Sequence, residues 1–416
     1  MEELHIFVQM LQKKVLLVIG GGAAGFFAAI SAAACNPNID IIILEQGNEV
    51  LGKVKISGGG RCNVTHACFD VRELTNYYPR GNKELTGPFF RFNCEHTIQW
   101  FESKGIELKT EEDGRMFPIT DNSQTIIDCL LDKARKSGIH VIRQAKVIRI
   151  KTCDGFIIST GQREYHADYL LIASGSSSYV WNLLADMGHT IVPPVPSLFS
   201  FNTRNTLFKD LAGIALPHTQ INIKGTSFTA EGILLITHTG VSGPGILKLS
   251  AFGARVLAEK NYSFTLRINW VNCSKQEAVD ALHIIKTAHA KKEVQTIAPF
   301  QLPSRFWKNS LKTIPIDEHK QWANLSGNEL QRIADFLTMC EIPISGKSTN
   351  KDEFVTAGGV SLKEVDFKTM ESKMIPQLYF AGEVLDIDAV TGGFNFQAAW
   401  TTGFIAGTTV AEKTTS

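Results

Sequence analysis

The chain has 416 residues, of which 44% are hydrophobic and 20% charged, a composition typical of a folded globular protein with more than one domain. Its 42 Lys and Arg nearly balance its 41 Asp and Glu, so no overall charge favours nucleic acid, and we expect a small organic substrate as the partner. The eight cysteines form no C-x-x-C pair and no metal-ligand spacing with the histidines, which excludes a disulfide framework and predicts a cytoplasmic protein without a metal site.

The first recognisable elements form a βαβ unit. We interpret the first dozen residues as an extension that precedes it. Val15–Gly22 (VLLVIGGG) predicts a buried parallel strand, AAGFFAAISAAA a helix lined by small residues, and Ile39–Glu45 (IDIIILE) the next strand. The apolar run from Val15 to Cys35 also resembles a lipoprotein signal or a short membrane span, but the three glycines at its centre would break an apolar helix.

A G-x-G-x-x-G motif lies between that strand and helix, and an acidic residue ends the next strand. Such glycines permit a tight turn, a close backbone approach to a pyrophosphate and close helix–strand packing, while the acid accepts hydrogen bonds from a ribose. The alternative is a plain glycine turn with a solvated glutamate. The predicted dinucleotide-binding residues of this unit are Gly20, Gly22, Ala23, Ala24, Gly25, Glu45 and Gln46.

The segment that follows predicts one long functional loop and then regular structure. Residues 46–93 are rich in Gly, Asn and Arg and show little periodicity. Ser123–Lys136 predicts an amphipathic helix, and IHVI, KVIRIKT, FIIST and YLLIAS predict strands, with a hairpin at Cys153–Gly155. A cluster of Pro193, Pro194 and Pro196 then indicates a domain boundary.

Beyond this boundary the pattern changes twice before the chain returns to the first domain. We expect a nucleotide-binding domain over 1–195, a β-rich insertion over 196–273, a helical insertion over 274–351 and a return segment over 352–416. The predicted fold class is therefore α/β: a Rossmann-type domain assembled from both ends of the chain, with an inserted β-barrel-like domain and a helical domain.

The loop LGKVKISGGGRCNVT (Leu51–Thr65) resembles that of the HI0933-like flavoprotein family, which includes aminoacetone oxidase-type and bile-acid-reductase-type enzymes. The match covers the serine, the triple glycine and R-C-N. Further matches are GRMFP (Gly114–Pro118), THTGVSGPGILKLS (Thr237–Ser250), TAGGV (Thr356–Val360) and the stretch Met370–Gly407, so the resemblance runs through most of the chain.

The resemblance implies that FAD is the cofactor and assigns further residues to it. The final helix would direct its N-terminus at the flavin, where a helix dipole stabilises negative charge. Val147 would meet the adenine through its backbone; Gly382, Glu383 and Asp386 would line the ribityl and phosphate path; and Gly392, Gly393, Phe394, Asn395 and Gln397 would cap the isoalloxazine. The remaining assigned residues are Lys53, Ser57, Gly58, Gly59, Gly60, Arg61, Cys62 and Asn63 of the loop, and Ala173, Ser174 and Gly175 at a strand end.

Two candidates for a catalytic role are Arg61, as an electrostatic partner of the flavin, and His238, as a proton donor. Each has a simpler alternative: Arg61 can serve only to hold the cofactor, and a lone histidine on a β segment is more often structural. Cys62 beside Arg61 is either a reactive thiol near a cation or a packed, inert cysteine.

The predicted function is oxidation or reduction of a small organic substrate by bound FAD. The sequence lacks a second G-x-G-x-x-G, so a dedicated NAD(P)H domain is not expected. Reoxidation of the flavin by oxygen and transient binding of NAD(P)H at the flavin are both compatible with the sequence. An RNA-modifying flavoprotein, which should carry a clustered basic surface, and a non-catalytic FAD-binding redox sensor are the alternatives. The stretch ASGSSSYVWNLLADMGH departs from the glycine-rich family pattern, so we expect a different substrate preference or an altered activity.

Overall fold

The computed structural model of the protein describes residues 13–348 and 355–415. The predicted N-terminal extension and the predicted boundary at 351 and 352 lie outside these residues. The helices are α1 (Ala23–Cys35), α2 (Gly52–Gly60), α3 (Val71–Thr75), α4 (Thr86–Arg91), α5 (Cys94–Glu102), α6 (Ser123–Lys136), α7 (Ser178–Asp186), α8 (Pro244–Phe252), α9 (Ala254–Glu259), α10 (Lys275–Ala288), α11 (Ser304–Thr313), α12 (Gly327–Met339) and α13 (Phe394–Thr415).

The strands are named in the same way. They are β1 (Val15–Ile19), β2 (Asp40–Leu44), β3 (Thr65–His66), β4 (Leu108–Thr110), β5 (Arg115–Pro118), β6 (His140–Ile142), β7 (Val147–Cys153), β8 (Gly155–Thr160), β9 (Glu164–Ala167), β10 (Tyr169–Ile172), β11 (Ile191–Ser197), β12 (Ser200–Asn202), β13 (Ala215–Ile223), β14 (Thr229–Ile236), β15 (Gly240–Ser242), β16 (Ser263–Asn269), β17 (Cys340–Ser348), β18 (Val355–Val360), β19 (Val365–Asp366), β20 (Glu371–Ser372) and β21 (Leu378–Phe380).

The described chain divides into two compact units, one made of residues 13–194 and 355–415 and the other of residues 195–348. The first unit contains a seven-stranded sheet of order β19-β20-β21-β10-β1-β2-β6, whose five strands from β21 to β6 are parallel. Strand β21 comes from the return segment and pairs with β10, so both ends of the chain build this sheet. The Rossmann-type α/β fold class is confirmed.

Helix α1 packs tightly against α13 because both helices have small residues where they meet. Ala28 and Ala29 of α1 are fully buried, and a Cβ added to Gly407 of α13 would lie 2.1 Å from the carbonyl oxygen of Ala28. This close approach holds the return helix against the first helix of the βαβ unit. Among the described residues, no helix is both long and apolar enough to cross a membrane.

The predicted long loop over 46–93 is wrong, because this stretch contains α2, β3, α3 and α4. These helices are too short to show an apolar period, yet each buries one or two side chains, such as Val54, Leu74 and Phe89. The predicted helix at Ser123–Lys136 is present as α6, and Asn122 caps it by accepting a hydrogen bond from the backbone N–H of Gln124 at 2.9 Å.

The second unit contains a closed barrel of order β12-β15-β14-β13-β16-β17 and the helices α8 to α12. The division that we predicted at residue 273, between a β-rich and a helical insertion, falls inside this one unit. Barrel residues such as Leu216 and Ile268 share a hydrophobic core with helical residues such as Trp307 and Ile333. Because neither part buries its apolar face alone, the two are packed as one body.

Candidate functional site

The glycine turn after β1 is shaped for close backbone packing. Gly20 has φ +114°, and a Cβ added there would lie 2.4 Å from the carbonyl oxygen of Ala173 at the end of β10. A Cβ on Gly25 would lie 2.1 Å from the carbonyl oxygen of Gly20. A Cβ on Gly22, by contrast, would meet no atom within 4 Å, so the backbone faces open space where the motif places a pyrophosphate.

Glu45 at the end of β2 is tied to this turn. Its carboxylate accepts hydrogen bonds from the backbone N–H of Gly21 at 2.9 Å and of Gly47 at 2.7 Å. Both bonds are charge-assisted and fix the side chain beside the turn.

A small open groove lies along this edge of the sheet. It brings together five of the sequence-predicted residues, Gly20, Glu45, Gln46, Val147 and Ser174, and its other lining residues are Ile19, Leu44, Ala145, Lys146, Ser177, Tyr179 and Val180. The hydroxyl oxygen of Ser174 is buried without a hydrogen-bond partner, which is unusual for a polar atom in a folded protein. A free hydroxyl and an open glycine turn beside one groove are the features that a dinucleotide requires, so the described residues fit FAD.

The segment that departs from the family pattern forms one wall of this groove. Ser177 caps α7 by accepting a hydrogen bond from the backbone N–H of Val180 at 3.4 Å, and the Lys146 ammonium lies 4.2 Å from the centroid of the Tyr179 ring. Sequence reasoning missed Lys146 and Tyr179. The altered segment itself was the signal that could have pointed to Tyr179.

A second cluster joins the beginning of α2 to the return segment. Lys53 forms a salt bridge with Glu383, and a Cβ on Gly175 would lie 3.7 Å from the Oε2 atom of Glu383. Gly382 has φ +73°, and its Cβ would lie 2.9 Å from that of Ala24 in α1. Asp386, which follows Glu383 by three residues, is buried. The residues predicted for the ribityl and phosphate path therefore lie on adjoining segments.

The backbone of α2 leaves helical geometry at Ser57, so that Gly58–Gly60 form a triple-glycine loop at its end. A third cluster joins this loop to the start of α13. Gly58, Gly59 and Gly60 all have positive φ, and a Cβ on Gly59 or Gly60 would meet no atom within 4 Å. Asn63 is buried, and in the amide orientation that satisfies its neighbours its oxygen accepts a hydrogen bond from Gly393 N–H at 2.9 Å. Ser57 instead donates to the carbonyl of Val54 within α2 at 2.9 Å.

His66, which sequence reasoning missed, packs in this third cluster. Its ring stacks on Phe394 with centroids 4.6 Å apart, and Nε2 donates to the carbonyl of Asp113 at 3.0 Å. Burial lowers the pKa of His66, so the neutral form with its proton on Nε2 is favoured. Its Nδ1 atom is buried without a partner and can therefore accept a hydrogen bond from a ligand. The signal was its place three residues after the R-C-N motif.

The polar members of α13 are engaged inside the protein. The Oε1 atom of Gln397 accepts hydrogen bonds from Thr65 at 2.6 Å and from Thr97 at 2.9 Å, and its amide nitrogen donates to Thr401 at 3.0 Å. Both ends of the Asn395 amide bond to the backbone of Ala389. These two side chains thus shape the N-terminal end of α13. Gly392 and Gly393, the other members of the predicted cap, have positive φ in a crowded turn, where a Cβ would lie 2.7 Å from the Phe394 ring and 2.5 Å from the carbonyl oxygen of Thr65, respectively.

The candidate catalytic residues are not brought together in one unit. Arg61 bonds to Glu111 at 2.6 Å and lies 3.9 Å from the centroid of Phe117; the hydrogen bond to Glu111 raises the pKa of its guanidinium. His238 is exposed between β14 and β15 in the second unit. Cys62 is fully buried, and burial raises the pKa of its thiol to about 12, which is the inert alternative.

The parallel sheet, the glycine turn and the groove beside Glu45 define a Rossmann-type dinucleotide-binding protein. A model of the HI0933-like protein Rossmann domain matches residues 14–409. The chain belongs to this family.

The proteins that are similar to the chain include two curated proteins and one solved structure. The 3-dehydro-bile acid delta(4,6)-reductase of Clostridium scindens is 28% identical over 92% of this chain and 96% of its own length. The ribosomal RNA dihydrouridine synthase of Haemophilus influenzae is 26% identical over 90% of this chain and 93% of its own length. The open conformation of a flavocytochrome c3 fumarate reductase aligns with 100% of this chain and 81% of that chain, at 15% identity and a TM-score of 0.46.

Proposed function

We propose that the protein is an FAD-dependent reductase that saturates a carbon–carbon double bond conjugated to a carbonyl group. The observation that carries this proposal is a feature shared by the two similar proteins, whose substrates otherwise differ. A 3-dehydro bile acid has a ring ketone conjugated to the delta-4 double bond. Dihydrouridine is uridine in which the ring double bond conjugated to a carbonyl is saturated. The common step is the same addition of two hydrogens to an electron-poor alkene.

The step requires two electrons and two protons. The chemistry that FAD would contribute when bound and reduced is a hydride equivalent for the carbon β to the carbonyl, while a proton from water or a side chain would be added to the α carbon. We propose NADH or NADPH, bound transiently, as the source of the electrons. The compartment that fits this chemistry is the cytoplasm, where reduced nicotinamides are available.

The described residues account for binding and orientation. In this proposal the N–H groups of the Gly20–Gly25 turn hold the pyrophosphate, and Glu45 holds the adenosine ribose in place of one of its present backbone donors. Lys53 and Glu383, which form a salt bridge, bind the ribityl chain and the phosphates. The N-terminus of α13, shaped by Asn395, stabilises negative charge on the reduced ring.

In the same proposal His66, and not the exposed His238, is the histidine at the bound ring, and it acts as a hydrogen-bond acceptor and not as the proton donor first considered for His238. Both glycines next to Phe394 have positive φ, and a Cβ on Gly392 would lie 3.3 Å from the His66 ring. The unpartnered Nδ1 of His66 would accept a hydrogen bond from the bound ring or substrate and orient it.

The first experiment is an absorption spectrum of the purified protein, followed by anaerobic addition of NADH and NADPH. Bound flavin should bleach with one of them and return to the oxidised spectrum on addition of a cyclic enone, a 3-keto-delta-4 steroid or uridine. Glu45→Gln should weaken FAD binding by about tenfold or more, since it removes the charge from two hydrogen bonds. Glu49→Gln, an exposed acid nearby, is the matched control.

Three outcomes would overturn the proposal. Reoxidation of the flavin only by oxygen would indicate an oxidase, and bound flavin that no nicotinamide reduces would indicate the non-catalytic redox sensor. A protein that cannot be loaded with FAD would remove the cofactor on which the reaction depends.

A further inference from the structure

Charge is distributed unequally between the two compact units. Residues 195–354 contain 18 Lys and Arg against 13 Asp and Glu, a net charge of +5, whereas the rest of the chain contains 24 against 28, a net charge of −4. The two values cancel to the +1 of the whole chain. The near-neutral composition therefore conceals a basic unit, and a unit of this kind attracts polyanions.

Part of this charge is concentrated on one face of α11. The side chains of Phe306, Trp307 and Leu311 are buried in the core of the second unit. On the opposite side the residues at 305, 308 and 312 are Arg, Lys and Lys, all exposed, at the spacing of three and four that places them on one helix face. The helix contains no acidic residue.

The segment before β13 adds a fourth cation to this face. Asn309 Nδ2 donates to the carbonyl of Lys209 at 2.9 Å, and the guanidinium of Arg305 donates to the carbonyl of Asp210. Lys209 is exposed and is thereby held beside the helix. We name the five residues Lys209, Arg305, Lys308, Asn309 and Lys312 the basic face.

The cations of the basic face have no acidic partners in the described part of the chain. The salt bridges found there include none to Lys209, Arg305, Lys308 or Lys312. The acids that flank the face in sequence are Asp210 and Asp317, and the Asp317 carboxylate accepts a hydrogen bond from the backbone N–H of His319. Like charges three or four positions apart destabilise a helix by about 0.2–0.5 kcal/mol per pair, so this arrangement does not serve stability.

We propose that the basic face binds the phosphodiester backbone of RNA. Lysine, arginine and asparagine side chains are the usual donors to phosphate oxygens, and the release of counterions from RNA offsets the repulsion within the face. An acidic protein fits less well, because protein interfaces need an apolar centre, and the exposed large hydrophobic side chains of the second unit, which are Ile233, Ile284, Phe300 and Met339, lie outside α11.

This inference deepens the proposed function, on which it rests for its chemistry, by making a base in RNA the conjugated substrate. The overall charge does not favour nucleic acid, but the charge on which this inference depends is local. The ribosomal RNA dihydrouridine synthase of similar length is consistent with it.

The test compares two triple variants of the full-length holoprotein. The first, Lys209→Gln, Lys308→Gln, Lys312→Gln, removes three charges from the basic face and leaves Arg305, whose guanidinium holds the adjoining turn. The second, Lys83→Gln, Lys151→Gln, Lys363→Gln, removes three exposed charges from the first unit. Binding of a synthetic RNA hairpin with a uridine-rich loop is measured by fluorescence anisotropy over a series of salt concentrations, with polyglutamate as the competing polyanion. Thermal unfolding and flavin absorbance show that both variants are folded and loaded.

We expect the first variant to bind the hairpin roughly tenfold or more weakly than the wild type at low salt. Its slope of log affinity against log salt should be smaller by about 2 to 3, since each phosphate contact contributes about 0.7 to 0.9. The second variant should match the wild type. Equal behaviour of the two variants, no RNA binding by the wild type, or tighter binding of polyglutamate than of RNA would overturn the inference.

Failure of this inference is distinguishable from failure of the proposed reaction. Reduction of a small cyclic enone does not depend on the basic face and should be equal in all three proteins. If RNA binding is lost only in the first variant while no conjugated alkene is reduced, the reaction is wrong and the RNA surface stands. If the enone is reduced but the two variants bind RNA equally, the proposed reaction stands and the RNA surface is wrong.

Discussion

The imidazole of His66 stacks on the ring of Phe394, with centroids 4.6 Å apart and planes inclined by 21°. The ring of Tyr77 also stacks on Phe394, with centroids 4.2 Å apart and planes inclined by 11°. His66 follows the triple-glycine loop, whereas Phe394 begins α13, so this contact fixes two distant segments against each other at the candidate site. Each such ring pair contributes about 0.5–1.5 kcal/mol beyond the area that it buries.

Substitution of His66 should change how stability depends on pH. Burial lowers the pKa of His66 below its usual value of about 6.5, so the unfolded chain takes up a proton more readily than the folded one. The contribution of His66 to the free energy of unfolding is therefore full above about pH 6.5 and falls as the pH decreases below it. His66→Phe keeps the stack and should show a smaller loss of stability on acidification in urea unfolding at about pH 5 and about pH 8.

The groups around His66 modify this effect without reversing it. The carbonyl and charge of Asp113 and the charge of Glu73 oppose the lowering of its pKa, and Arg115 supports it. His218→Phe, at an exposed histidine of the second unit, is the control. An acid dependence of His66→Phe that equals that of the wild type would show that His66 does not titrate in this way.

Two glycines of the same motif should respond differently to alanine. Gly25→Ala places a Cβ 2.1 Å from the carbonyl oxygen of Gly20 and should lower the free energy of unfolding by about 1–3 kcal/mol or more. Gly22→Ala meets no atom within 4 Å and should fold normally, yet bind FAD more weakly because the methyl group occupies the approach to the backbone. Urea unfolding without FAD and fluorescence titration with FAD separate the two effects, and Gly161→Ala is a neutral control. Normal FAD affinity of Gly22→Ala would place the pyrophosphate elsewhere.

Gln397→Leu should act on stability and not on the flavin. The change removes the acceptor of the Thr65 hydroxyl in the protein interior and one of the two acceptors of the Thr97 hydroxyl, which keeps the carbonyl of Asn93, for a loss of about 1–3 kcal/mol in urea unfolding. The flavin spectrum at saturating FAD should be unchanged. Gln99→Leu on the exposed side of α5 should have little effect on either measurement. A shifted flavin spectrum with normal stability would restore the predicted contact of this side chain with the isoalloxazine.

A buried ion pair outside the predicted residues should be among the most sensitive positions. Both carboxylate oxygens of Asp388 bond to the guanidinium of Arg80, with the two side chains 0% and 9% exposed. Asp388→Ala should lower the free energy of unfolding by about 3–5 kcal/mol, because the arginine keeps a buried charge. Asp132→Ala removes a partner of the exposed Arg135 and should change stability by less than about 1 kcal/mol. Similar losses in the two variants would contradict the difference in burial.

The βαβ unit and its glycine motif could be predicted from the sequence because their signals are local. Strand β1, the turn at Gly20 and helix α1 depend on residues a few positions apart, and α6 was predicted to the residue from its apolar period and Gly138. The same kind of local pattern predicted the return segment, whose strand β21 pairs with β10 in the sheet.

The partners of individual side chains could not be predicted, because they depend on segments far apart in the chain. The sequence alone determined the Rossmann-type fold class, the glycine turn after β1 and the family. Only the tertiary structure decided that Arg61 faces Glu111, that the amide of Gln397 is used by two threonines, and that the barrel and the inserted helices share one core. Local periodicity sets which residues are buried, whereas the choice of a polar partner follows from packing between distant elements, where an unpaired buried group costs about 1–3 kcal/mol.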